Sequence, residues 1–304
     1  MRIPRLGQRP VLIVLSGALA IAFSGILFRV SHVSPSTGAF YRCVWALPPL
    51  WLLGRWEDSR FGPRPRRARV TAWLAGAFFA ADLVLWHNAI EQVGAGLATV
   101  LGNTQVVLVG LVTWALLGER PGRSALAAIP VVAVGVVLIS GALEQGAYGS
   151  NPPLGALYGV LTGLAYTAFL VALREGNRDV RRPGGPLFDA TLAAAVGCAA
   201  IGVAVGDLDL TPSWSATGWL IVLALTSQVF GWLLISVSLP RLPAALTSVM
   251  LTFQPVCSVL FAAILLGESP SGLQLLGAAC ILAGLVVASL RARRIPAPEP
   301  ELAG

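Results

Sequence analysis

Two charged side chains stand in stretches otherwise almost free of charge: Arg42, in AFYRCVWALP, and Asp82, in AGAFFAADLVLWHNAI. A carboxylate at the centre of a membrane-spanning helix costs roughly 2.5–3.5 kcal/mol on insertion scales, so it normally faces protein or a water-filled cavity. Asp82 can therefore take up a proton, bind a cationic group of a solute, or serve as a structural partner for Arg42. The two lie about one and about two helical turns from the same end of their segments, a difference in depth that an Arg side chain can bridge. A pair would offset the cost of each charge and leave both open to competition from a solute carboxylate or a proton. Snorkelling of Arg42 to the interface is the alternative.

Other groups share these faces. Phe78, Asp82 and Trp86 fall on one side of a helix, and Tyr166 continues the line of Gly155, Gly159 and Gly163. An aromatic ring beside an intramembrane carboxylate suits an amphiphilic or cationic solute, although core packing asks for the same residues. Gly96, Thr99, Asn103, Val106, Gly110 and Thr113 form one helical stripe, which serves either as a packing seam or as the wall of a solute cavity. His87 and Asn88, near one end of their segment, suit a gate or contact with interfacial water.

The chemistry that is missing narrows the field. There is no GxSxG, HExxH or phosphate-binding glycine loop, so no residue is assigned a catalytic role. The two histidines are too few for a His-based metal cluster, and Cys43, Cys198, Cys257 and Cys280 sit in apolar runs without CxxC spacing. We therefore expect no metal, no cofactor and no disulfide framework, with the cysteines as small packing residues.

The elements that must hold these groups follow from composition. Only 12% of the 304 residues are charged and 56% are hydrophobic, against roughly 25% charged in soluble domains. Mean hydropathy is +0.78. Apolar surface on that scale must face lipid. Segments of spanning length fall near 11–28, 38–54, 71–90, 95–117, 125–142, 154–173, 186–205, 215–238, 244–266 and 271–290. The first follows a basic start, as a signal peptide does, but it is longer than such a core and is read as a retained span.

All 21 basic residues are Arg. With the N-terminus inside, the inner side holds Arg2, Arg5, Arg9, Arg55, Arg60, Arg64, Arg66, Arg67, Arg69, Arg120, Arg123, Arg174, Arg178, Arg181, Arg182, Arg241, Arg291, Arg293 and Arg294. Arg29 alone is outside and Arg42 is within a span. Such a bias sets ten spans with both termini in the cytoplasm. Trp51, Trp56 and Trp73 at the inner interface, with Trp214 and Trp219 at the outer, agree. The basic loops are too short for a nucleic-acid recognition module, so no nucleic-acid partner is expected despite a pI near 10.0.

Sliding the chain by 149 residues sets Leu97–Ser140 on Leu246–Ser289 with 14 of 44 positions identical. Gln105 meets Gln254, Gly135 meets Gly284, and LLGE at 116–119 meets LLGE at 265–268, each followed by a proline at Pro121 or Pro270. The polar stripe then recurs as Ala245, Ser248, Thr252, Pro255, Val259 and Ala262, and Asp82 is matched by Gly231. The LLGE glutamates, Glu119 and Glu268, are read as helix-terminating. Five spans per copy is odd, so the copies cross the membrane in opposite senses, a recurring plan of secondary transporters with the solute site between repeats.

The stretch GLATVLGNTQVVLVGLVTWALLGERP, its partner ALTSVMLTFQPVCSVLFAAILLGESP and the Arg of AFYRCVWALP resemble the EamA-type branch of the drug/metabolite transporter superfamily, over roughly residues 11–290. The resemblance implies a central cavity, alternating access, and export or exchange of small metabolites, often amino acids or drug-like compounds. The expected fold is an all-α membrane protein of ten transmembrane helices in two inverted five-helix repeats. Its parts are a cytoplasmic N-terminus (1–10), a first repeat (11–142), a second repeat (154–290) and a disordered cytoplasmic tail (291–304). The expected solute-binding set is Arg42, Asp82, Trp86, Thr99, Asn103, Tyr166, Ser248 and Thr252, with Asp82 also the coupling group. The expected partners are a small-molecule solute and the bilayer of the cytoplasmic membrane. The rival reading is a scaffold or lipid-interacting subunit that transports nothing.

Overall fold

The structure, a computed structural model, describes residues 10–117, 122–176, 179, 181–238 and 252–290. Among the described residues every regular element is a helix. In lipid the backbone must satisfy its own hydrogen bonds, which the apolar runs of this chain can do only as helices. In chain order the described helices are α1 (Pro10–Ala22) and α2 (Ser24–Ser31), α3 (Pro35–Phe61), α4 (Arg66–Val93), α5 (Ala95–Gly102) and α6 (Gln105–Leu117), α7 (Arg123–Ile139), α8 (Pro152–Gly176) and α9 (Gly184–Val205). They continue with α10 (Trp214–Leu223), a π-helical stretch (Ala224–Gly231) and α11 (Trp232–Ser238), then α12 (Phe253–Leu266) and α13 (Gly272–Leu290).

Five stretches are long and apolar enough to cross a membrane: Leu12–Ser31, Arg66–Val93, Pro152–Leu173, Gly184–Val205 and Trp214–Ile235. The others depart for local reasons. α3 runs past the expected end at 54 into a charged segment, where Arg55 and Arg60 lie over the rings of Trp51 and Trp56 at 6.0 and 5.3 Å. α5 and α6 are separated by a turn at Asn103–Thr104, and α12 begins just after the undescribed residues 239–251. The two terminal segments expected at 1–10 and 291–304 lie, apart from Pro10, outside the described residues.

Helices from equivalent places in the two halves pack side by side: α3 against α9 and α7 against α13, with α4 wedged between α8 and α9. One core gathers Ile90, Leu97, Leu101, Ile139 and Ile281, and a second gathers Leu50, Phe79, Leu83, Phe169 and Leu187. The glycine line on α8 lets that helix lie almost on the backbone of its neighbours. A Cβ at Gly159 would stand 2.4 Å from Leu101 Cβ, and one at Gly163 would stand 2.5 Å from Thr104 Oγ1.

Two carboxylates tie one half to the other. Glu268 is buried, and its oxygens accept from the backbone N–H groups of Ala95 at 2.6 Å and Gly96 at 3.1 Å, the open first turn of α5. The residue expected only to end its own helix therefore caps a different one. Burial pushes the Glu268 carboxyl above its ordinary range, against the pull of those two N–H groups. Gly94, before α5, has φ +86°, and a Cβ there would lie 2.7 Å from the Glu268 carboxylate, so both conformation and space demand glycine. At the opposite end Glu57 accepts from Gly184 N–H at 2.8 Å and Gly185 N–H at 2.7 Å, capping α9 in the same way.

Candidate functional site

The turn at Asn103–Thr104 interrupts α5–α6 in mid-span, where Asn103 N–H reaches back to Thr99 and Val100, and Thr104 N–H to Leu101. Beside this break, α4 brings in Phe79, Asp82, Leu83 and Trp86, and α8 brings in Thr162 and Tyr166. With Ser24, Arg42, Thr99, Asn103, Trp232 and Gln254 these residues line a partly open cavity of about 70 Å³. Such a space holds a few waters and falls short of the roughly 300 Å³ of a small-molecule pocket.

Six of the eight expected site residues therefore meet around one cavity: Arg42, Asp82, Trp86, Thr99, Asn103 and Tyr166. Thr252 immediately precedes α12 and is not on the cavity wall. Ser248 lies outside the described residues.

The two charges are held differently. Arg42 is 4% exposed; its Nε donates to Gln228 Oε1 at 3.1 Å and its Nη1 to Ser24 Oγ at 2.9 Å. Its guanidinium carbon also lies 5.7 Å from the centroid of the Trp86 ring, a cation–π contact. Gln228 is fixed in turn by donating from Nε2 to Thr191 Oγ1 at 3.2 Å. Arg42 thus neither snorkels nor pairs with the carboxylate. Asp82 is 7% exposed and, among the described residues, has no hydrogen bond or ion pair. The expected Arg42–Asp82 bridge is replaced by a tethered cation and an unpaired carboxylate on the same cavity wall.

Gln228 reaches Arg42 from the π-helical stretch Ala224–Gly231, whose wider turn re-aims side chains within an otherwise regular span. Around the charges stand rings. Phe79 stacks on Phe169 at 4.4 Å, and Trp232 meets Phe79, Tyr166 and Phe169 edge-on at 6.3, 6.1 and 5.6 Å. Thr99 Oγ1 donates to Ala95 O at 2.7 Å and accepts from Ser258 Oγ at 3.1 Å, joining the broken span to α12. Thr162 Oγ1, buried on the cavity wall, has no hydrogen-bond partner among the described residues.

His87 does not reach interfacial water. It is fully buried, stacked on Phe28 at 4.0 Å, with Nδ1 3.1 Å from Pro35 O. Asn88 spends its amide N–H on Val84 O. Sequence reasoning left Ser24, Thr162, Gln228 and Trp232 out of the site. Ser24, Thr162 and Gln228 carry the signal that singled out Asp82, a polar group within an apolar run, and Trp232 carries none that sets it apart from packing aromatics.

A family model described as the EamA-like transporter family matches residues 8–141 and again residues 153–290. Among solved structures, a crystal structure described only as that of a protein aligns with a TM-score of 0.61 at 19% identity, over 95% of this chain and 99% of that one. At that identity the likeness speaks for the fold alone. A search of the curated proteins found no match.

Proposed function

The chain belongs to the EamA-like transporter family, and from that premise we propose a secondary transporter that exports or exchanges a small amino-acid-like or amphiphilic metabolite by alternating access. The observation that carries this reading is that a tethered Arg42 and an Asp82 without a hydrogen bond or ion pair among the described residues line one small, partly open cavity. A solute carboxylate would approach Arg42, a solute ammonium group would approach Asp82, and the apolar part would lie among Phe79, Trp86, Tyr166 and Trp232. A cavity of about 70 Å³ holds no such solute, so the halves must part to admit it.

Asp82 doubles as the coupling group in this reading. A buried carboxylate without a partner is costly when charged, and taking up a proton removes that cost when the cavity holds no cationic solute. The same reading carries ten spans in two inverted repeats, placed in the cytoplasmic membrane with both termini inside, and a carrier rather than an enzyme.

The test compares wild type and Asp82→Asn at matched membrane levels in a bacterial host, with an empty-vector control, and profiles the extracellular metabolites. A solute that accumulates outside only with the wild type supports export and identifies the cargo. Profiles identical in all three would sink the exporter and favour the scaffold.

A further inference from the structure

At the start of α4 three arginines, Arg64, Arg66 and Arg69, surround a recess of about 540 Å³ whose remaining walls are Val70 and Trp73. Their charges are unequally spent. Arg64 Nη1 lies 2.9 Å from Asp189 Oδ2 and its Nε lies 3.8 Å from Asp58, so this side chain is engaged. Arg69 reaches the same Asp189 oxygen only at 3.8 Å and remains 59% exposed. Arg66 has no hydrogen bond or ion pair among the described residues.

The helix adds its own positive end. The N-cap is Pro65, which offers no side-chain acceptor, and the first turn carries no acid. Arg69 N–H bonds back to Pro65 O, while the N–H groups of Arg66, Arg67 and Ala68 find no acceptor in the described protein. Partial positive charge from the helix terminus thus falls where the exposed guanidinium groups of Arg66 and Arg69 already gather.

Below the recess the same side of α4 turns apolar without being covered. Val70, Trp73, Leu74 and Phe78 are 59%, 42%, 53% and 38% exposed. A Trp one to two turns inside a basic helix end sits at headgroup level in a bilayer. Anion-binding groups above, an interfacial ring between and an apolar stripe beneath follow the order of a phospholipid from phosphate to acyl chain. An inorganic anion would use only the first of these.

We propose that this recess binds an anionic phospholipid, its phosphodiester held by Arg66, Arg69 and the first turn of α4, with an acyl chain along Leu74 and Phe78. Neutral phosphatidylcholine carries its own cation, which the arginines would oppose. Because α4 also carries Asp82, an occupied recess would brace the helix on which the cavity depends. The binding itself does not depend on any transport reading.

The test uses native mass spectrometry of the purified full chain, titrated with phosphatidylglycerol or phosphatidylcholine. Three proteins are compared: wild type, Arg66→Gln/Arg69→Gln, and the charge-matched Arg55→Gln/Arg60→Gln. Retention of phosphatidylglycerol over phosphatidylcholine by the wild type is expected. An affinity loss of at least about tenfold should appear in the Arg66/Arg69 variant alone, with its melting temperature in phosphatidylcholine unchanged and excess inorganic phosphate failing to displace the lipid. Equal retention of both lipids, equal losses in the two double variants, or displacement by phosphate would each overturn the site.

Discussion

Span three and span eight occupy equivalent places in the two halves, and they are built differently. Span three is α4, a single α-helix from Arg66 to Val93 that carries Asp82 into the cavity. Span eight has Gly231 in the place of Asp82, and over Ala224–Gly231 it relaxes into a π-helix that swings Gln228 onto Arg42. A Cβ at Gly231 would lie 2.5 Å from Ile21 Cγ1, so the second copy spends this position on close packing where the first spends it on charge. The repeated scaffold is near-symmetric in its packing, while the polar chemistry is not. The first half supplies both charged groups, Arg42 and Asp82; the second supplies the tether Gln228 and two of the four aromatic residues on the cavity wall, Tyr166 and Trp232.

That contrast can be broken from either side. The largest effect is expected from Asp82→Asn. Flux should fall at least about tenfold, while thermal stability in detergent stays level, because a carboxyl that carries a proton in the empty cavity is replaced by a neutral amide of similar shape. A stability loss with unchanged flux would make Asp82 a structural group.

Deleting Thr226, a half-buried residue within the π-helical stretch, should restore α-helical winding and turn Gln228 away from Arg42. Solute flux should drop by about tenfold with membrane insertion intact, if a free Arg42 binds solute in the wrong geometry. Flux at the wild-type rate would mean the π-helix has no part in placing Arg42.

Gln228→Leu removes the same tether without moving the backbone. It leaves a buried guanidinium donor unpaired and should cost about 2 kcal/mol of stability, read from denaturation in detergent. A neutral result would show that Ser24 and Trp86 hold Arg42 unaided. Gly231→Ala is expected to cost least, about 1 kcal/mol, through crowding against Ile21. Flux should hardly change.

Much of this arrangement was legible in the chain itself. Apolar runs marked the helices, the paired LLGE-x-P and the paired Gln105/Gln254 exposed the repeat, and polar groups in apolar runs with the aromatics beside them pointed to six residues of one cavity wall. The same rule reaches Ser24 and Gln228, but only as isolated polar groups; their role as partners of Arg42 is set by three helices meeting. Nothing in ALTSQVFG announces a π-helix: it contains no proline, and its polar run Thr226-Ser227-Gln228 fits an ordinary α-helix equally well. Helical periodicity reports neighbours one turn apart and is silent about neighbours on other helices. For that reason depth alone suggested an Arg42–Asp82 bridge that the packing does not make, and placed His87 at an interface it does not reach. Glu268 was silent for the same reason: the N–H groups it caps lie 172 and 173 residues away in the chain.

The central claim, that Asp82 is the coupling group of a carrier, is tested most directly in liposomes holding purified protein and an internal pH dye. A solute identified from the export comparison is supplied on one side, and solute and proton movement are recorded together for wild type and Asp82→Asn. The account predicts linked solute and proton fluxes in the wild type and the loss of both in the variant. Solute flux at the wild-type rate in Asp82→Asn would contradict it.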